Sequence, residues 1–359
     1  MRDLSNWEKC YYSTRSRLSI PYLDLKEKWP VGFLDRLKMW KMGFLCDKFV
    51  AYDFKKYEPD KYLTDYQQVM ARFINYPYSE ILNNKLIFEK VFSRHVKVPK
   101  SYAVIDSGRI SLLDPEAKDI VTDGENILRV IEELCCKFGR VVLKPVKGAL
   151  GKGVMIIVHS GQGQLVVNNQ QWSSEELAYF LGSLKLYLVS EYIEQAAYSK
   201  QIYPFAANAM RILTMFDPYD NQPFIAAAVK RFGTDASAPV DNNGAGGICA
   251  SVNLETGELS SASQFTKTGI IWHDFHLNSG AQIKGIRIPN WTAVKEKVLE
   301  IAGRYPFIKY VGWDILDQDD GIVALEGNNH PQFRLLQIHK PILLDPRVVN
   351  FYRYHKIIG

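Results

Sequence analysis

The sequence predicts an α+β protein of two or three lobes with a helical, aromatic-rich region at its start. Three observations predict it. Helical patterns alternate with short apolar strands from Ser79 to Ser190, and strand patterns dominate from Asn208 onward. The third is Tyr310–Asn328, YVGWDILDQDDGIVALEGN, which reads as two strands joined by a polar turn. A chain of 359 residues, 47% apolar and 23% charged, is large enough to bury an extensive core in two or three lobes. We divide it into residues 1–75, the helical region; 76–195, with a glycine-rich turn; and 196–359, with the acidic hairpin.

Residues 1–75 are rich in aromatics, and in FLDRLKMWKMGF the residues Phe33, Leu37, Trp40 and Phe44 recur at helical spacing with Arg36, Lys38 and Lys41 between them. Such a basic amphipathic helix packs on the main body, or it meets an anionic membrane or a lipid-linked substrate. Ser79–Val96 has a helical pattern ended by Pro99, and Tyr102–Ile105 reads as a strand. Thr122-Asp-Gly-Glu125 has the form of a capping box opening a helix through Cys136, with Cys135 and Cys136 as buried small hydrophobes. Val141–Lys144 and Val154–Val158 are strands flanking the turn Lys147-Gly-Ala-Leu-Gly-Lys-Gly153. This is strand–loop–strand, not the strand-to-helix order of a Walker loop. Its glycines let backbone amides approach phosphate, and Lys144, Lys147 and Lys152 offset phosphate charge. Ser173-Ser-Glu-Glu176 caps a further helix, and Leu186–Ser190 is a strand leading into Glu191-Tyr-Ile-Glu194. Asn208–Phe216 and Phe224–Arg231 read as adjacent strands, followed by the loop Asp241–Gly247 and the strand Ile248–Asn253. A helix from Trp291 to Arg304 precedes the acidic hairpin, and Asp345-Pro-Arg opens a closing helix.

In the hairpin, Asp314 and Glu326 lie twelve residues apart at facing positions, and Asn328 shares a face with Glu326. Two carboxylates and an amide oxygen form a hard-oxygen site that suits Mg²⁺ when phosphates complete its shell. Asp317, Asp319 and Asp320 read as a solvated tip. The net charge of +5 is mild and no stacking motif accompanies it, which argues against nucleic acid. Five cysteines without C-x-x-C spacing support neither a disulfide framework nor a zinc site. There is no signal-like start and no window long enough to span a membrane, so a cytoplasmic location is expected.

Taken in order from Asn83 to Phe351, these residues resemble the ATP-grasp superfamily, whose fold grips ATP between two α+β lobes. Lys85 resembles the first nucleotide lysine of ligases such as D-alanine–D-alanine ligase, although Asn84 stands where an aspartate is usual. Lys144 resembles the second, and Gly148, Gly151 and Gly153 belong to a stretch like the phosphate-covering loop. Glu191, Tyr192 and Ile193 resemble the linker that reads the adenine edge, with Glu194 or Gln195 near the ribose and Leu325 under the ring. Asp314, Glu326 and Asn328 match the family's magnesium ligands. NNGAGGICASVNLETG and EGNNHPQ resemble the sugar-transfer-associated branch, which is linked to surface-polysaccharide assembly.

The resemblance implies an ATP- and Mg²⁺-dependent carboxylate–amine ligase working through an acylphosphate. Its expected partners are a small acid and an amine or sugar-linked acceptor, with a membrane or lipid-linked glycan nearby. Arg231 and Arg211, on strands bordering the cleft, suit forked binding of a carboxylate or a phosphoryl group. His330 and Gln332 lie where an acceptor would sit. The same cleft would serve a phosphotransferase, or a non-catalytic nucleotide-binding scaffold.

Overall fold

Two seven-stranded sheets, antiparallel throughout, carry the architecture. The computed structural model describes residues 20–114, 127–148, 151–159 and 165–359. Outside them lie the Thr122–Glu125 capping sequence, Cys10, and Ala149 and Leu150 of the glycine turn.

The first sheet comprises β1 (Ser101–Asp106), β2 (Arg109–Leu112), β3 (Arg140–Pro145), β4 (Met155–His159), β5 (Leu165–Val167), β6 (Gln170–Gln171) and β7 (Tyr187–Glu191). Their order is β2-β1-β7-β3-β4-β5-β6. Helices Ile127–Phe138 and Ser174–Ser183 pack Val130, Ile131, Leu134, Leu177 and Leu181 against Ala103, Val141, Leu143, Ile157 and Val189. Ser173 and Glu176 form the expected capping box, worth about 1 kcal/mol. On the other helix Cys135 is buried, but Cys136 is exposed. The pair cannot both face the core, because adjacent helical residues point about 100° apart.

The second sheet comprises β8 (Met210–Phe216), β9 (Pro223–Phe232), β10 (Ile248–Val252), β11 (Leu259–Thr266), β12 (Gly269–His273), β13 (Tyr310–Gln318) and β14 (Gly321–Asn328). Their order is β12-β11-β10-β9-β8-β13-β14. β13, between β8 and β14, is buried on both faces, so its apolar residues do not alternate with solvated ones. One face takes the helix Trp291–Arg304, which buries Trp291, Val294, Val298 and Ile301 at helical spacing. Each such side chain contributes on the order of 1.5–3 kcal/mol. The other face takes Phe333–Gln337 and the closing helix Pro346–Tyr354, whose N-terminus Asp345 caps.

The Ser79–Val96 pattern is not one helix. It splits into Glu80–Asn83 and Lys85–Phe92, because Asn84 leaves the helical region and its side chain accepts from the amides of Leu86 and Ile87. The second piece buries Phe88 and Phe92 against Trp313 of the larger sheet. That packing fixes Lys85 at the boundary between the sheets.

The amino-terminal region also departs from its predicted pattern. Its helix runs Phe33–Met42 and ends at Gly43, so Phe44 lies beyond it and is buried. Phe33 and Leu37 are 70% and 44% exposed, and Met39 faces inward instead. Of the expected apolar stripe, Phe44 and Trp40 pack inward while Phe33 and Leu37 face outward.

Candidate functional site

The cleft between the two sheets collects side chains from both. Register explains the deepest row: Arg211 on β8 lies opposite Asp314 on β13, and Asp314 lies opposite Glu326 on β14. Asn328 lies opposite Gly312, one step along the same face. Gly312 is needed at this point, since a Cβ there would sit 2.6 Å from Pro331.

Charges in this row are buried and paired. Arg211 donates from Nε to Asp314 Oδ1 and from Nη2 to Oδ2 at 3.1 Å. Arg231 Nη2 donates to Asp314 Oδ2 at 3.2 Å, and its Nε lies 3.2 Å from Asp241 Oδ2. Burial alone would push the Asp314 carboxyl upward, but the two guanidiniums prevail and hold it at about 2. Asp314 is therefore a carboxylate at any physiological pH. The buried Nη1 of Arg211 and Oδ1 of Asn243 have no partner, and both residues line the cleft.

Glu326 is half-buried, with Lys85 Nζ 3.3 Å from its Oε2. The same ammonium donates to the Gly148 carbonyl at 3.2 Å. Lys85 thus spans from the acidic hairpin to the glycine turn of the other sheet. Lys144, at the end of β3, projects toward the same place. Burial, and after it the Lys85 charge, draws its pKa down to about 8 against the pull of Glu326, Glu89 and Glu191.

Beside these charges lies an apolar slot. Its floor is Ile193, Ala209, Leu316 and Leu325, with Val323 packed against them, and Val142 and Ile156 of the first sheet complete the lining. Glu191 lines it too, but its N–H is committed to Lys100 O at 2.8 Å. Tyr192 also lines the cleft, and its ring carries the Arg140 guanidinium 4.4 Å from the centroid.

The glycine turn closes over this cleft. Gly148, Gly151 and Lys152 line it, and Gly151 has φ +66° with its α-carbon hydrogens facing Val240 of the other lobe, where a Cβ would come within 2.9 Å. Not every expected residue is brought in. Lys147 is largely exposed and pairs with Glu80 at 2.7 Å. Gly153 lies under Tyr187, and Glu194 stands at the rim between Arg140 and Lys200.

Several members of the cleft lacked a sequence signal. Pro99, Val142, Ile156 and Leu316 look like ordinary core residues in the chain, and Asp241 looks like a loop polar. Asp317 is a correction. It is 3% exposed, not at the solvated tip, and accepts from Lys230 Nζ at 2.5 Å and from Tyr198 Oη. Lys230 points away from Arg231 on β9, and its fully buried ammonium requires that counter-charge. His330 and Gln332 line the cleft beyond the acidic row.

The acidic row fits a hard divalent cation. Asp314 Oδ2 accepts from both arginines, whereas Oδ1 accepts from Arg211 and keeps a lone pair. Asn328 donates from Nδ2 to Gly312 O at 3.3 Å, which leaves its amide oxygen for a ligand. Among the described residues no three His, Cys, Asp or Glu side chains form a metal cluster. Two acids and one amide leave most of a shell to phosphate and water, as Mg²⁺ prefers.

A family model described as sugar-transfer-associated ATP-grasp matches residues 66–352. No curated protein matches the chain. Similar solved structures include the ATP-grasp ligase PsnB complexed with a minimal precursor, at 13% identity and TM-score 0.38, covering 77% of this chain and 63% of that one. D-alanine–D-alanine ligase from Bacillus anthracis complexed with ATP is similar at 14% identity and TM-score 0.37, over 78% of this chain and 69% of that one. VanG D-Ala:D-Ser ligase from Enterococcus faecalis is similar at 12% and 0.38, over 75% and 61%. The chain spans less than two thirds of the length of PsnB.

Proposed function

The chain belongs to the sugar-transfer-associated ATP-grasp family, and from that premise we propose that it is an ATP-dependent carboxylate–amine ligase. The proposed substrates are a small acid and an amine or sugar-linked acceptor in surface-polysaccharide assembly. One observation carries the reading: Lys85 Nζ touches both Gly148 O and Glu326, so the basic and acidic halves of the cleft meet at one point.

In this reading the apolar slot over Leu325 and Leu316 takes the adenine, with the backbone of Tyr192 and Ile193 at its edge. Lys85 and Lys144 offset phosphate charge, and amides of the glycine turn approach the phosphates. Glu326, Asn328 and the remaining lone pair of Asp314 would hold Mg²⁺, which would supply charge neutralisation to the phosphates. Arg211 orients the acid through its unpartnered Nη1, and Arg231 stabilises the phosphoryl group as it transfers. The carboxylate oxygen bonds to the γ-phosphorus as the bond to ADP breaks. The amine then attacks the acyl carbon, phosphate leaves, and the amine proton passes to solvent or to a neutral base. Asn243 and the loop around it cover this end.

Glu326→Gln removes a charge without changing size and should lower ADP formation at least about 10²-fold while far-UV circular dichroism stays unchanged. Wild-type turnover in that variant would overturn the site. With an isotope-labelled acid, the ligase transfers one labelled oxygen to inorganic phosphate. An unlabelled phosphate would overturn the acylphosphate route.

A further inference from the structure

A second surface is built into the region before the family-matched residues. Tyr22, Leu23, Leu25, Phe33, Leu34 and Leu37 are 61%, 50%, 66%, 70%, 79% and 44% exposed. Isolated exposed apolar residues need no explanation, but six large ones within sixteen positions form a patch that does. Four lysines stand among them, and Lys26, Lys28, Lys38 and Lys41 are all exposed.

The helix Phe33–Met42 shows how the patch is aimed. Around its axis, at 100° per residue, Phe33, Leu37, Lys41, Leu34 and Lys38 fall in that order within one continuous face. Met39 lies on the opposite side and is buried. The roll of the helix is fixed, because Arg36 and Trp40 are tied to the preceding segment, whose Trp29 packs on Phe265 of β11. Arg36 donates to Asp24 Oδ2 at 3.0 Å, to Val31 O at 3.1 Å and to Trp29 O at 2.6 Å. Trp40 Nε1 donates to the same Asp24 oxygen at 3.1 Å, and Asp24 Oδ1 accepts from Cys46 N at 2.8 Å. Apolar side chains are thus held outward next to flexible cationic ones.

We propose that this face, Phe33, Leu34 and Leu37 with Lys38 and Lys41, docks on an anionic lipid surface. Charge selects this occupant. The exposed basic residues of the patch are four lysines against two exposed acids, Glu27 and Asp35, since Asp24 is buried with Arg36. Lysines beside an apolar face reach anionic headgroups while their stems lie along the acyl boundary. Docking is peripheral, because no described helix is long and apolar enough to cross a membrane. It stands independently of the ligase reading.

The test is co-sedimentation of the full chain with vesicles of three parts phosphatidylcholine to one part phosphatidylserine, alongside phosphatidylcholine alone. The chain sediments with the mixed vesicles, and binding weakens as salt rises. Phe33→Ser combined with Leu34→Ser weakens it at least about tenfold, and Lys38→Glu combined with Lys41→Glu does so at low salt only. These side chains are exposed, so circular dichroism and ATP turnover are retained. Failure of the full chain to sediment overturns the proposal, as does wild-type binding by the serine variant. If a second copy or the first nineteen residues occupy this face, the vesicles stay unbound. The serine variant then changes molecular mass or proteolysis instead.

Discussion

The two sheets face one cleft with opposite interiors. The sheet β8–β14 holds charge inside the protein: Arg211 and Arg231 around Asp314, and Lys230 on Asp317, all at 0–9% exposure. The sheet β1–β7 is filled by Ala103, Val141, Leu143, Ile157 and Val189, while ion pairs such as Arg129–Glu133 and Arg140–Glu194 lie at its surface. Burying charge is costly unless each charge is answered, and a sheet with five answered charges is committed to one geometry. An apolar sheet bearing a glycine turn carries no such commitment. The contrast teaches that electrostatic order is concentrated where the proposed reaction would transfer charge.

The largest test of this contrast is Asp314→Ala. It strands the buried Arg211 guanidinium and leaves Arg231 with Asp241 alone, and we expect a loss of about 3–5 kcal/mol in urea unfolding. A loss under about 1 kcal/mol would erase the distinction between the sheets. The wild-type protein carries the same signature in acid. Because Asp314 has a pKa near 2 when folded and about 3.9 when unfolded, its contribution is complete above roughly pH 4 and fades toward pH 2.

Lys144 tests the covering sheet. With a pKa near 8 it is charged below that pH, and phosphate binding favours the charged form. Nucleotide affinity should hold steady below pH 8 and fall by up to about tenfold per unit above it. Lys144→Arg should flatten that decline in a calorimetric titration; an unchanged slope would assign it to another group.

The smallest effect expected is at the turn. Gly151→Ala adds a Cβ at φ +66° against Val240, costing on the order of 1–2 kcal/mol locally. We expect a several-fold rise in KM for ATP with unfolding unchanged. A shift in global stability instead would show that the turn is part of the rigid body.

Much of this was legible in the chain where local chemistry decides the outcome. The β13–β14 hairpin follows from two apolar runs flanking a polar turn, Ser173 and Glu176 announce a helix start, and Trp291–Arg304 shows its buried face in its spacing. Other features depend on partners far away. Ser260, Ser261, Ser263 and Gln264 of β11 carry no strand pattern, and pairing with β10 and β12 makes them one. Asp317 reads as a turn acid until Lys230, eighty-seven positions earlier, is set beside it. Lys147 and Lys152 are equivalent in composition, and only the path of the turn sends one to Glu80 and the other to the cleft. The exposed face of Phe33–Met42 was hidden for the converse reason, since periodicity marks an apolar stripe without saying what covers it.

Lys85 deserves a last thought as an object already occupied. Its ammonium joins a loop carbonyl to an acid. In the proposed reading a triphosphate would compete for that cation rather than meet a bare one, so the contacts that join the two sheets and those that would hold phosphate draw on the same charge.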